Sequence, residues 1–165
     1  MKRQRKVPGP DAWSGYKEDL DAKYAHKLFF GKSTADVQQH FGDVQSIERA
    51  SELLFLPRQA FQYYVFAFAE FVVSDAAVGD SESASPFLRL LVSREQRDPG
   101  SVAEIYSDLQ PFVEFVASHQ ERYDADPNIY GSFPDLAAQL KGLCEASVSR
   151  PPNNRVWTPP SSPDG

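Results

Sequence analysis

The sequence predicts an all-α, single-domain protein of about six or seven helices packed round one buried helix at residues 57–74. Three observations carry that prediction. In PRQAFQYYVFAFAEFVVS, the residues Phe61, Tyr64, Val65, Phe68, Ala69 and Val72 recur at i, i+3, i+4, i+7, i+8 and i+11, the period of a helix face. Tyr63, Phe66, Phe71 and Val73 fill most of the remaining circumference, which marks a helix covered on several sides. The flanking chain is divided by proline, glycine and serine into segments of helical length that carry start and stop signals. Aromatic and β-branched residues also favour strands, but the length of the run and Pro57 at its first turn favour a helix. The run is too short and too interrupted for a bilayer span, which needs ~20 apolar residues.

The elements follow in order. Residues 1 to about 15 read as a flexible basic N-terminus, with Pro8, Gly9 and Pro10 opposing regular structure. The helical domain covers residues 16–148. Its first helix, from Tyr16 to Phe30, carries acids early (Glu18, Asp19, Asp21) and lysines late (Lys23, Lys27), as the helix dipole prefers, and stops at Gly31. Ser33 or Thr34 caps a short helix from Ala35 to Phe41, ended by Gly42. Residues 46–56 fit a short helix or an extended segment before Pro57. Beyond the central helix, DAAVGDSESAS reads as an acidic loop. Ser85 then caps a helix with Pro86 at its first position, running to Gln96.

Asp98-Pro99-Gly100 marks a turn, and Ser101-Val-Ala-Glu104 has the spacing of a capping box. The helix after it meets Pro111, which predicts a break near Gln110 and a restart running to about Arg122. Pro134 starts the last helix, to about Ala146, and residues 149–165 form a proline-rich flexible tail. In that tail, Trp157 flanked by prolines has the form of a short docking motif.

Charge narrows the function. The chain carries −6. Setting aside Lys2, Arg3, Arg5 and Lys6 at the start, and Arg150, Arg155 and Asp164 at the end, leaves eleven basic and twenty-two acidic side chains, a net −11 over residues 7–149. Such a body repels nucleic acid and anionic membrane and selects a basic protein partner. DNA reading is further disfavoured because the second helix holds Asp36, two glutamines and a histidine rather than a basic face. The basic start lacks the apolar stretch of a secretory leader, so the expected location is the cytoplasm.

Motifs are few. A lone cysteine, Cys144, excludes an internal disulfide framework and reads as a buried structural thiol. His26, His40 and His119 stand apart with no zinc spacing. GxSxG, Walker and GxGxxG signatures are absent, and no cofactor is indicated. The leading expectation is therefore a non-enzymatic interaction module, an adaptor or an antitoxin- or immunity-type inhibitor, using surface acids such as Asp75, Asp80 and Glu82.

Two other readings accompany it. Gln59, Gln62 and Glu70 lie near one line of the central helix, and with Tyr63 beside them they outline a ligand pocket centred on Glu70. The simpler fate for Glu70 is water, or an arginine such as Arg89. Asp124, Asp126, Asn128, Ser132 and Asp135 fall at positions one, three, five, nine and twelve of a calcium loop between two helices. Ile129 replaces the turn glycine and Asp135 the bidentate glutamate, so the first reading of that loop is helix capping and Asx-turns.

Overall fold

The computed structural model describes residues 5–149, and α4, Arg58–Val72, runs through its middle. Eleven of the fifteen residues of α4 are buried, with Phe61, Tyr64, Val65 and Phe68 fully enclosed. Pro57 stands one residue outside the helix as its N-cap, and its carbonyl accepts the amide of Phe61 at 2.9 Å.

Short elements wrap α4 on successive sides. α2 (Thr34–Val37), α3 (Asp43–Leu54), α5 (Ser81–Arg97), α6 (Tyr106–Ser118) and a 3-10 turn at Pro10–Trp13 all pack against it. α8 (Phe133–Ser149) closes the bundle against α5 and α6, while α1 (Leu20–Phe29) lies on α3 and α7 (Pro127–Tyr130) is a single turn. Among the described residues there is no strand. The chain is thus an all-α bundle built on one enclosed helix, because an element apolar on nearly every side must be covered on nearly every side. Among the described residues no helix is long and apolar enough to cross a membrane.

Two buried tyrosines tie α4 to its surroundings. The Tyr64 hydroxyl lies 2.9 Å from the Lys32 carbonyl and within reach of that of Phe29, where α1 ends. The Tyr123 hydroxyl donates to the Val72 carbonyl at 2.6 Å, at the other end of α4. Burial pushes both phenols up, that of Tyr123 to about 12.

Several predicted boundaries move, each for a local reason. α1 starts at Leu20, not Tyr16, because Asp19 accepts the Ala22 amide as N-cap. Ser33 and Asp36 form a reciprocal capping box, as its position suggests, but the helix tightens to a 3-10 turn at Gln38–His40. Residues 43–54 are helical throughout. α5 starts four residues before the predicted cap: Asp80 takes that role, accepting the amide of Ser83. Pro86 then lies inside the helix.

Pro111 likewise lies inside α6, and the predicted break does not occur. Pro86 and Pro111 are each the sixth residue of their helix and forgo one backbone bond, and for Pro111 the forgone acceptor is on Ser107, an exposed residue. The capping box at Ser101 is not formed. Ser101 is buried and accepts from Arg94, and Glu104 turns to Arg58 and Gln62. In the stretch before Gly15, Trp13 is 1% exposed and stands edge-on to His26, while the Arg5 guanidinium lies 3.4 Å above the Phe66 ring. Trp157 and the rest of the proline-rich tail lie outside the described residues.

Candidate interaction face

The four residues outlined as a pocket do not converge. Gln59 is exposed beside residues 6–12, on the rim of an open depression of about 370 Å³. Gln62 donates to the Ser101 carbonyl at 3.0 Å and to Glu104 at 2.8 Å. Tyr63 accepts the Thr34 amide at 3.3 Å. Glu70, half-buried, accepts from the Gln38 amide at 2.7 Å, while its suggested partner Arg89 bonds to Ser85 and the Tyr130 carbonyl. Successive turns of α4 meet different neighbours, so a line along one helix is divided among several interfaces. A second open depression, about 530 Å³, is lined by Lys32, Ala35, Asp36 and Gln39 and includes none of the four.

In the 124–135 loop the polar side chains serve the backbone. Asp126 accepts the Asn128 amide at 2.9 Å and starts α7 in the middle of the would-be ligand loop. Ser132 accepts the Asp135 amide at 3.2 Å. Among the described residues no three His, Cys, Asp or Glu side chains are grouped to hold a metal ion.

The fold instead joins that loop to the acidic loop after α4. The Gly79 amide donates to the Arg122 carbonyl at 2.8 Å, and Arg122 donates to the Ser74 carbonyl at 3.2 Å and lies 3.6 Å from Asp75. A Cβ added at Gly79 (φ 77°) would stand 3.4 Å from the Asp124 carboxylate. Asp75, Glu121, Asp124 and Asp126 are exposed here, Glu82 is half-exposed, and Val78 and Ile129 project among them at 55% and 73% exposure.

Partly buried hydrogen bonds tie the face together. Gln120 donates to the carbonyls of Ala125 and Gly131 and accepts the Phe133 amide. Ser81 donates to the Tyr130 hydroxyl, and Arg89 donates to the Tyr130 carbonyl. Asp80 does not belong to the face, although its neighbours do. It is 8% exposed, and its carboxylate accepts the amides of Asp43 and Ser83 and the Ser83 hydroxyl. A capping carboxylate is used up by the helix it starts. Glu121, Val78 and Ile129 carry no motif; only the fold brings them to one surface.

The balance of charge on the surface is sharper than the net value. Residues 33–140 contain no lysine and seventeen acids. Each arginine among the described residues is engaged within the fold. Arg49 pairs with Glu52, Arg58 with Asp98 and Glu104, and Arg5 with Asp108. Arg94 is 4% exposed and donates to the Leu54 and Leu56 carbonyls, Ser101 and Asp98. Arg97 covers the Phe55 ring, and Arg89 and Arg122 hold loop carbonyls. Asp75, Glu121, Asp124 and Asp126 are exposed, and Arg122, 3.6 Å from Asp75, also donates to the Ser74 carbonyl.

No family model matches the chain, and no curated protein and no solved structure matches it either.

Proposed function

We propose that the chain is a non-enzymatic protein-interaction module of the cytoplasm, an adaptor or an antitoxin- or immunity-type inhibitor, whose acidic face at residues 75–82 and 121–129 receives a basic protein partner. One observation carries the reading: the arginines among the described residues are engaged within the fold, no lysine occurs between residues 33 and 140, and the ion pair on this face is Arg122 with Asp75 at 3.6 Å, so exposed carboxylates outnumber cations here. Complementary charge speeds encounter and rejects acidic competitors. The two projecting aliphatic side chains, Val78 and Ile129, supply apolar contact between the acids, and a face held by partly buried hydrogen bonds loses little freedom when it docks.

The test is a titration with a lysine-rich peptide, beside a pull-down with the whole chain as bait, each at low and high salt. Binding should weaken as salt screens the face. Reversing the exposed acids Asp75 and Glu121 together to lysine should weaken it several-fold while leaving the fold intact. No binding at low salt, or binding indifferent to both salt and the reversals, overturns the proposal.

A further inference from the structure

Residues 5–13 form an arm laid against α4, without regular structure as far as Gly9 and then in the short turn Pro10–Trp13. Among the described residues its backbone bonds are local, Ala12 to Gly9 and Ser14 to Asp11, so side chains fix the arm to the core. The Arg5 guanidinium covers the Phe66 ring of α4 and bonds Asp108 of α6 at 2.9 Å. Pro8 is buried, and Trp13 is enclosed by the rings of Tyr16, His26, Phe30 and Tyr64. The buried Trp13 indole N–H has no acceptor, so this seat grips a ring and not a hydrogen-bond direction. Gly15, at φ 88° with open space beside it, joins the arm to the rest of the chain. A proline-bearing segment held by side-chain anchors on an aromatic surface is held as a docked peptide is held.

The same anchors recur near the other end of the sequence. The protein has two tryptophans, and each stands five residues after a proline, Trp13 after Pro8 and Trp157 after Pro152. Arg5 precedes the first proline by three residues, and Arg150 precedes the second by two. Residues 150–157 lie outside the described structure, but α8, which leads to them, ends close to where the arm begins. Ser147 donates to the Glu95 carboxylate that also accepts the amides of Val102 and Ala103, and Ala103 stands five residues before Asp108, the partner of Arg5. Trp157 is eight residues beyond Ser149, as Trp13 is eight beyond Arg5. Eight residues span up to about 28 Å, so the second segment has the reach of the first.

We propose that the Trp13 seat is also a docking site for the chain's own residues 150–157, which lie along the track of the arm, with Trp157 in the seat, when the arm leaves it. Asp108 and the Phe66 ring, which receive Arg5, suit Arg150 through the same charge and cation–π contacts. Both segments are tethered to the groove they compete for, so each is present there at high effective concentration. Occupancy then turns on the anchors, and weakening those of the arm hands the groove to the second segment. This exchange is independent of the acidic face and its partner.

Tryptophan fluorescence of the full chain tests it. Trp13→Ala empties the seat, Trp13→Phe keeps a ring in it, and in both variants Trp157 is the tryptophan that emits. Trp157 emission should shift to the blue, and its quenching by acrylamide should fall several-fold, in Trp13→Ala relative to Trp13→Phe. Adding Arg150→Ala and Pro152→Gly to the Trp13→Ala chain should reverse most of that protection. Circular dichroism reports whether the helices persist. Where Trp13→Ala loses them, Arg5→Ala combined with Trp13→Phe serves instead: it frees the end of the arm while a ring stays in the core, and it should protect Trp157 more than Trp13→Phe does. Equal quenching of Trp157 in the arm-weakened chain and in Trp13→Phe, whether strong or weak, overturns the proposal. So does protection that survives the loss of Arg150 and Pro152.

Discussion

Two charged regions of this molecule carry similar residues to opposite ends. Where α4 begins and α5 finishes, Arg58, Arg94, Glu95, Asp98, Ser101 and Glu104 form a network in which each charge has a partner. Arg94 and Glu95 are 4% and 2% exposed. Glu95 accepts the amides of Gly100, Val102 and Ala103 and the Ser147 hydroxyl, so a single carboxylate holds the 98–103 turn to α5 and α8. On the face at Asp75, Glu121 and Asp124 the carboxylates are exposed, and the cation beside them, Arg122, lies 3.6 Å from Asp75 while donating to the Ser74 carbonyl. The first arrangement satisfies buried charge inside the fold, and the second leaves charge for something outside it. Carboxylate count does not distinguish them; burial and partners do.

The comparison breaks if removing a network charge costs no more than removing a face charge. Arg94→Ala should show the largest effect. It strips the donors from the buried Leu54 and Leu56 carbonyls and removes the guanidinium lying 4.6 Å from the Phe61 ring. Loss of one partner from a buried, hydrogen-bonded charge costs about 3–5 kcal/mol. Equilibrium unfolding in urea should show that loss, while Glu121→Ala on the face should stay within about 0.5 kcal/mol of the natural chain.

The pH dependence of stability sharpens the same contrast. The Arg58 hydrogen bond, followed by the nearby charge of Arg58 and Arg94, holds the Asp98 carboxyl below its ordinary value despite partial burial. A depressed carboxyl contributes stability that is complete above its ordinary value and disappears as pH falls through the depressed one. Asp98→Asn should therefore cost about 1 kcal/mol at neutral pH and flatten the loss of stability in acid. Glu52 has the opposite sign. Burial raises its carboxyl more than the Arg49 bond lowers it, so acidification through the raised value relieves strain rather than adding it. From neutral to strongly acid pH, unfolding midpoints should fall less steeply for Asp98→Asn than for the natural chain and more steeply for Glu52→Gln, which also loses stability at neutral pH because buried Arg49 loses its partner.

How much of this could be read beforehand follows from the range of each signal. The central helix is written in periodicity, a local property, and its residues are buried as that period requires. Helix ends are written in caps, but caps compete. Asp80 outbids Ser85 for α5, and Ser101 is claimed by Arg94 before it can cap anything. Proline positions mislead for a similar reason, since Pro86 and Pro111 are tolerated early in their helices. The candidate face combines two stretches some fifty residues apart. Asp75 and Glu82 can be singled out from the acidic loop and Asp124 and Asp126 from their spacing, but it takes long-range bonds such as Gly79–Arg122, Arg122–Ser74 and Ser81–Tyr130 to make them one surface. The pocket fails conversely, because adjacency along α4 does not foresee which neighbour covers each turn.

The smallest effect is a rate, read at Cys144. This thiol is 3% exposed, and burial, with Glu95 and Glu145 adding negative charge, pushes it up to about 12. The thiolate is the reactive form, so the native chain should label very slowly with a thiol reagent, and labelling should report opening of α8 away from α5. Glu95 joins the two helices through Ser147, close to this cysteine in the chain. Asp98→Asn, which loosens the neighbouring turn, should therefore speed labelling by about the factor that its stability loss implies, roughly fivefold for about 1 kcal/mol. The double reversal of Asp75 and Glu121 should leave the rate unchanged. Equal acceleration by both variants would mean that the face and the network open together, and the division between charges that hold the fold and charges that await a partner would fail at its root.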